Sequence, residues 1–560
     1  MLTPPTTPTG NNIARFSKVD HTSRPYAPPA ARPQPVLPPS LPLTPPATST
    51  DRFQNQPGVN VAHWQSRQLT DNELSYYLPS RADGVNDMYV HHRLSGASDC
   101  LSESRVLYVW AYQLLRHPLL ASSISAHTYE DVRFVRSVPS TLEEALQQAA
   151  SRFHAVPTNG SIIDTYLNGP RTLSSDRLAC LVFAHPTAPA FGLATPPSSP
   201  NARAESEAYD CELMLCATHA IGDGMALHTF MNEFYTLLGS SSSVADLREM
   251  ILAKLYLEEP QPIPQGLESQ LPAASAWRTI VGAVDSRLNQ TRLTGNQSFP
   301  LIPASQRKPR QTVVPTVAYS SDETKRILSS CKANGVTVAH AVFALCNMAW
   351  ARLAPSSRDP CIIYSAANLR PHIQTPSVPS SPESFFHLAI GYFNVSLPSL
   401  HVPIATSDLL WHRARSVRAQ MMAATRSPFV VPRARRDGLE RRERAVRWAK
   451  MDDGVVEPTA ASEVISPRWL ADAAPQKALM GVSMLGNLDG MYKHAAFPSI
   501  KLESLMTGSR QRSAGLLLFA YTFRGQLWLS LGYDENGFAP GVIAGFWTGL
   551  QGLVSEAILD

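Results

Sequence analysis

The stretch Cys211-Glu-Leu-Met-Leu-Cys-Ala-Thr-His219-Ala-Ile-Gly-Asp223-Gly224 sets an imidazole just past an apolar run, with a carboxylate four residues beyond it. An unperturbed imidazole titrates near pH ~6.5, so it can accept a proton at neutral pH. An aliphatic alcohol is a poor nucleophile until a base takes its proton during the attack. His219 is therefore a candidate general base. Asp223 can orient the ring, or hold the loop through a distant cation. Gly224 leaves room for a substrate backbone or cofactor. The same spacing also suits a plain strand-turn-helix with a buried, hydrogen-bonded histidine.

The elements that must position these residues follow from local pattern. Leu213 to Ala217 reads as a strand, and Gly222 and Gly224 permit a short turn. From Met225 to Tyr235, Leu227, Phe230, Met231 and Phe234 recur at helical spacing. Upstream, Val106, Val109, Trp110, Leu114 and Leu115 mark a helix within residues 104–120, and 133–138 and 178–183 read as strands. Downstream, helices are predicted over 321–333, 337–354, 402–425 and 541–558. Strands are predicted over 313–319, 362–367, 480–485, 502–506, 515–523 and 527–533.

Composition bounds the rest. The 560 residues, 44% of them hydrophobic, suffice for a large core or two domains of about 200–250 residues each. With 49 basic and 45 acidic residues the net charge is +4, which makes no case for a nucleic-acid partner. The seven cysteines form no Cys-x-x-Cys pair, so neither a disulfide framework nor a zinc site is indicated. The N-terminus lacks a basic-then-apolar leader pattern, and no apolar run approaches ~20 residues. A cytoplasmic protein without a membrane span is the expectation. Residues 1–58, crowded with proline, read as a disordered or polyproline-like tail. Residues 186–206 read as a surface insertion before the His219 strand, and 371–385 as a proline/serine loop. Residues 297–312 form the predicted boundary, separating a half over 59–296 from one over 313–560. The basic run from Arg433 to Lys450 reads as a solvated helix face or mobile loop, or as an attraction for an anionic partner.

His219-Ala-Ile-Gly-Asp223-Gly224 resembles the His-x-x-x-Asp-Gly signature of the CoA-dependent acyltransferase superfamily. That superfamily includes plant BAHD acyltransferases, fungal trichothecene O-acetyltransferases and the condensation domains of peptide synthetases. Other segments fall in the order the superfamily shows: Trp110 to Leu120, Gly335 to Trp350, Ala367-Asn-Leu-Arg370-Pro, and Gly391-Tyr-Phe-Asn394-Val. Residues 74–92 resemble the trichothecene acetyltransferase branch. The resemblance spans roughly residues 60–560. Where BAHD enzymes carry Asp-Phe-Gly-Trp-Gly, this chain reads Gly532-Tyr-Asp-Glu-Asn-Gly537, so no catalytic role is carried onto Asp534. Thr218 stands where condensation domains often have a first histidine.

The resemblance implies an α/β fold of two similar chloramphenicol-acetyltransferase-like halves, each a mixed sheet with helices, around a central channel. It implies an O-acyltransferase that moves an acetyl or other short acyl group from acetyl-CoA or another acyl-CoA to an alcohol, with His219 as base and no metal. It implies that Asp223 is structural and pairs with Arg370. Asn394 and Ser483 are possible oxyanion or channel residues, although each also suits an ordinary strand position; His228 and His340 read as packing. The phosphates of CoA would be one anionic partner for the basic run. The acceptor implied is a trichothecene-like sesquiterpenoid or another fungal secondary metabolite, and the chain is expected to be a monomer. The alternative is a condensation-type enzyme that takes carrier-bound acyl groups and forms an amide or ester; a non-catalytic binding protein on the same fold is a third.

Overall fold

The strand that delivers His219, Tyr209–Ala217, is apolar and buried at every residue over 213–217, where it is covered on both faces. Leu213, Leu215 and Ala217 face one core, shared with Phe230 and Phe234 of the helix Gly224–Leu238. The alternate residues Met214 and Cys216 face a smaller cluster with Tyr89, Tyr166 and Cys180. The computed structural model describes residues 63–559 apart from 158–159, 186–208, 274, 294, 356, 375–383, 401–404 and 457–476. The proline-rich tail over 1–58, the insertion over 186–206 and most of the 371–385 loop lie outside the described residues.

Two large mixed sheets organise the chain, as the α/β reading requires. The first has five strands, in the order Ile500–Ser509, Met88–Gly96, Tyr209–Ala217, Ala179–His185 and Phe153–Pro157, antiparallel except for the last pair. The second has seven. It runs Ile390–Leu397, Cys361–Asn368, Ala478–Asn487, Leu516–Phe523 and Gln526–Asp534, and the last of these pairs with both Thr312–Val313 and Thr316–Tyr319. A three-stranded sheet of His63–Gln68, Val132–Val138 and Ser123–Ala126 flanks the first lobe. The strand Ile500–Ser509 comes from the second half of the sequence yet completes the first lobe's sheet, so the lobes interlock.

Helices Val338–Leu353, Thr406–Thr425 and Val542–Val554 build the second core around Phe343, Trp411 and Phe546. Each such fully buried side chain contributes ~1.5–3 kcal/mol. The C-terminal helical segment Val542–Leu559 is also long and apolar enough, by length and composition, to cross a membrane. Its Ile543, Phe546, Leu550 and Leu553 lie in the second lobe's core.

The basic run is also more ordered than a mobile loop. Val430–Asp452 is one helix, and it packs against the helix Asp71–Ser80 of the first lobe. That shorter helix starts from a capping box, in which Glu73 accepts from the Thr70 backbone N–H at 2.8 Å. Arg67 clamps the same carboxylate through two bonds of 2.8 Å.

Candidate active site

Gly222 and Gly224 are required where the chain turns out of the His219 strand. A Cβ on Gly222 would lie 2.9 Å from the Phe386 ring, and one on Gly224 would lie 2.8 Å from Leu485. Both neighbours belong to the second half of the chain, so the turn is wedged between lobes.

Asp223, between these glycines, is the N-cap of the helix Gly224–Leu238 and accepts from the Ala226 N–H at 3.0 Å. Nη1 of Arg370 lies 3.0 Å from each of its carboxylate oxygens, and the Ala389 N–H donates to Oδ2 at 2.8 Å. Arg370 in turn donates through Nη2 to the His387 carbonyl at 2.7 Å. The carboxylate is thus saturated by groups on both lobes and makes no hydrogen bond to the His219 ring. Of the two roles left open for Asp223, the geometry matches the loop lock.

His219 stacks almost parallel on Tyr76, with centroids 4.0 Å apart and planes 15° from each other. Its Nδ1 is buried with no acceptor in full hydrogen-bond geometry, although the His219 and Gly222 backbone lies close to the ring, and the residue lines a cavity of about 1100 Å³ between the lobes. The ring therefore meets the cavity through its Nε2 edge. Burial lowers its pKa to about 4, against the opposing pull of backbone acceptors at His219 and Gly222 and of the Asp223 carboxylate. The imidazole is neutral at pH 7, which is the form a base needs.

The cavity also brings in Gly224, Asn394 and Ser483. Asn394 points to the same side of its strand as Tyr392, another lining residue. Ser483 stands two residues before Leu485, the side chain that abuts Gly224. Arg370 is not on the cavity wall but behind the turn. His228 is buried and pairs with the Tyr492 hydroxyl at 2.9 Å, as a packing residue would; His340 instead caps its helix, accepting from the Thr337 N–H at 3.0 Å. Asp534 braces backbone, accepting from Gln311 at 3.0 Å and from Ala514 at 2.8 Å.

Three lining residues escaped the sequence reading. Tyr76 covers His219, and its hydroxyl accepts from Tyr392 at 2.6 Å. Arg441 lies over Tyr392, its guanidinium carbon 4.0 Å from the ring centroid, and 5.2 Å from that of Tyr76. Tyr76 and Tyr392 sit inside segments the family resemblance already quoted, yet nothing in their local pattern separates them from packing residues. Arg441 sits in a charge run whose solvated reading concealed an inward face.

No protein-family model matches the chain, and no curated protein sequence matches it. Solved structures do. Trichothecene 15-O-acetyltransferase TRI3 from Fusarium sporotrichioides superposes with a TM-score of 0.65 at 13% identity, over 88% of this chain and 95% of that one. Polyketide synthase associated protein 5 from Mycobacterium tuberculosis gives 0.52 at 13% identity, over 88% and 98%. The epimerization domain from the third module of tyrocidine synthetase B gives 0.52 at 12% identity, over 89% and 99%. At these identities the likeness is one of fold.

Proposed function

We propose that this chain is an O-acyltransferase that uses an acyl-CoA, acetyl-CoA foremost, and an alcohol held in the cavity between the lobes. The observation that carries the proposal is the His219 ring: neutral, held flat against Tyr76, and open to the cavity on its Nε2 edge. Nε2 takes the hydroxyl proton as the oxygen attacks the thioester carbonyl. The tetrahedral oxyanion needs preorganised donors, and Asn394 and Ser483 are the cavity residues proposed for that role. Collapse breaks the carbon–sulfur bond, and the thiolate recovers the proton from His219. The products are an ester and a thiol. Holding both reactants in one cavity replaces an encounter in solution.

The functional halves we assign are 59–296 and 313–560, joined by 297–312. The acceptor we favour is a trichothecene-like sesquiterpenoid or another secondary metabolite, acylated by a monomeric cytoplasmic enzyme. The likeness to TRI3 supports that choice. The likeness to the tyrocidine synthetase epimerization domain supports a second reading, in which a carrier-bound acyl group replaces acyl-CoA and an amide or ester forms. Product formation from acetyl-CoA and from acetylated carrier protein, each with a panel of sesquiterpenoid and polyketide alcohols, separates the two. Ester formed from acetyl-CoA supports the first reading. Product only from the carrier-bound donor supports the second.

A further inference from the structure

Helix Val430–Asp452 contributes Arg433, Asp437, Arg441, Arg444 and Trp448 to the cavity wall, all on one face. Its other arginines are largely spoken for. Arg433 pairs with Asp285 at 2.6 Å, Arg436 with Glu440 at 2.7 Å, and Arg442 with Asp71 at 3.5 Å. Two of the helix's arginines on this wall have no ion pair and donate no hydrogen bond among the described residues: Arg444, which lies over Trp448, and Arg441. Arg441 is the one beside His219, and its Nε is buried without a partner. It rests on the faces of Tyr392 and Tyr76 instead. Burial keeps both phenols above their usual pKa, so neither supplies a counter-charge. Two acids of this helix share the cavity wall, Asp437 one turn earlier and Glu440, which is paired with Arg436. Burial and Glu440 push the Asp437 carboxyl up to about 6, against the pull of Arg433 and Arg441; it attracts Arg441 through space but forms no direct ion pair with it.

A guanidinium carries five donors in a planar fork. A half-buried fork with its Nε cut off from any acceptor is costly unless a ligand supplies one. Cation–π contact with the tyrosines offsets part of that cost. The group that matches the fork is a planar carboxylate, bound through two parallel N–H···O bonds. Position narrows the source. Arg441 stands one ring away from His219, with Tyr76 between them. The phosphates of a CoA thioester lie at the far end of its pantetheine arm from the reacting carbon, too remote for this place.

We infer that Arg441 is a specificity residue that binds a carboxylate on one of the two reactants, which narrows the choice either to a hydroxy acid among the secondary-metabolite acceptors in place of a neutral sesquiterpenoid, or to a dicarboxylic acyl group in place of acetyl. This rests on the acyl-transfer reading for its role, but its test is a binding measurement that does not need turnover. Calorimetric titration would compare mandelate, shikimate and 4-hydroxyphenylacetate each with its methyl ester, and succinyl-CoA with acetyl-CoA. The expected result is that one charged class binds about tenfold tighter than its neutral match, or more. Preference among the acids assigns the carboxylate to the acceptor; preference for succinyl-CoA assigns it to the acyl group. In Arg441→Gln the preference falls to about one, and in Arg441→Lys, which keeps the charge and loses the fork, it is intermediate. If Arg441 only supports the tyrosines, both members of each pair weaken equally and the ratio persists. That result, or a wild type without any preference for the charged member, would overturn the inference. Absence of thiol release from either thioester would instead count against acyl transfer and leave the binding ratio to be read on its own.

Discussion

At the residue scale, the account rests on what surrounds one imidazole. Because burial holds the His219 pKa at about 4, the free protein keeps the ring neutral across the neutral range, the form the proposed base needs. The kcat/KM profile should therefore show no acid limb between pH 5 and 7; a limb near pH ~6.5 would mean a solvated ring. Asp223 belongs to a different kind of prediction. Its side chain is 2% exposed and is held by Arg370 across the lobes. Asp223→Asn leaves that guanidinium without its charge partner, at a cost of ~3–5 kcal/mol. A urea midpoint well below wild type should accompany lost turnover. Full stability with lost turnover would point to a direct chemical role. The pairing of Asp223 with Arg370 was legible through family resemblance, since spacing alone cannot say which of 49 basic residues answers a given aspartate. Arg441 was not legible, because a run of arginines on a helix looks the same whether one face is wet or walls a cavity.

At the scale of elements, the strand-turn-helix around His219 could be read directly. The apolar run, two glycines and a helical repeat each specify their own piece. The helix Asp71–Ser80 is harder to see, because its last turn holds Pro79 and most of its face is buried against other elements. Its function is visible only in three dimensions, where it sets Tyr76 against His219. The wedge at Gly222 gives an element-level prediction. A methyl group there meets the Phe386 ring, which is itself fully buried. Gly222→Ala should displace the turn, lowering kcat about tenfold or more at a stability cost of ~1–3 kcal/mol. Wild-type kinetics in that variant would show that the turn tolerates a shift and that its placement is not critical.

At the scale of the whole molecule, the two sheets could be anticipated as a mixed α/β pair, but their interlocking could not. Nothing in residues 500–509 says that this strand pairs with Met88–Gly96 and not with its sequence neighbours; register is decided by long-range packing. The cores also contain imidazoles held neutral. Burial lowers the pKa of His228 to about 3 and that of His387 to about 4, alongside His219. Folded values below the unfolded ~6.5 mean that the unfolded chain binds more protons under acid conditions. The stability is fully present above pH ~6.5 and declines as pH falls from there toward about 4. The urea midpoint should thus be lower at pH 5 than at pH 7, and His228→Gln should reduce the difference. An unchanged midpoint would mean that these rings are hydrated or paired at low pH.

The proposed reaction requires His219 to activate an alcohol against an acyl thioester within the cavity between the lobes. The most direct measurement is free-thiol release from acetyl-CoA by the purified protein with a panel of alcohols, beside His219→Ala of matched thermal stability. The account predicts acceptor-dependent release that falls by about 10²–10⁴-fold in the variant. Release that persists at the wild-type rate in His219→Ala would contradict it.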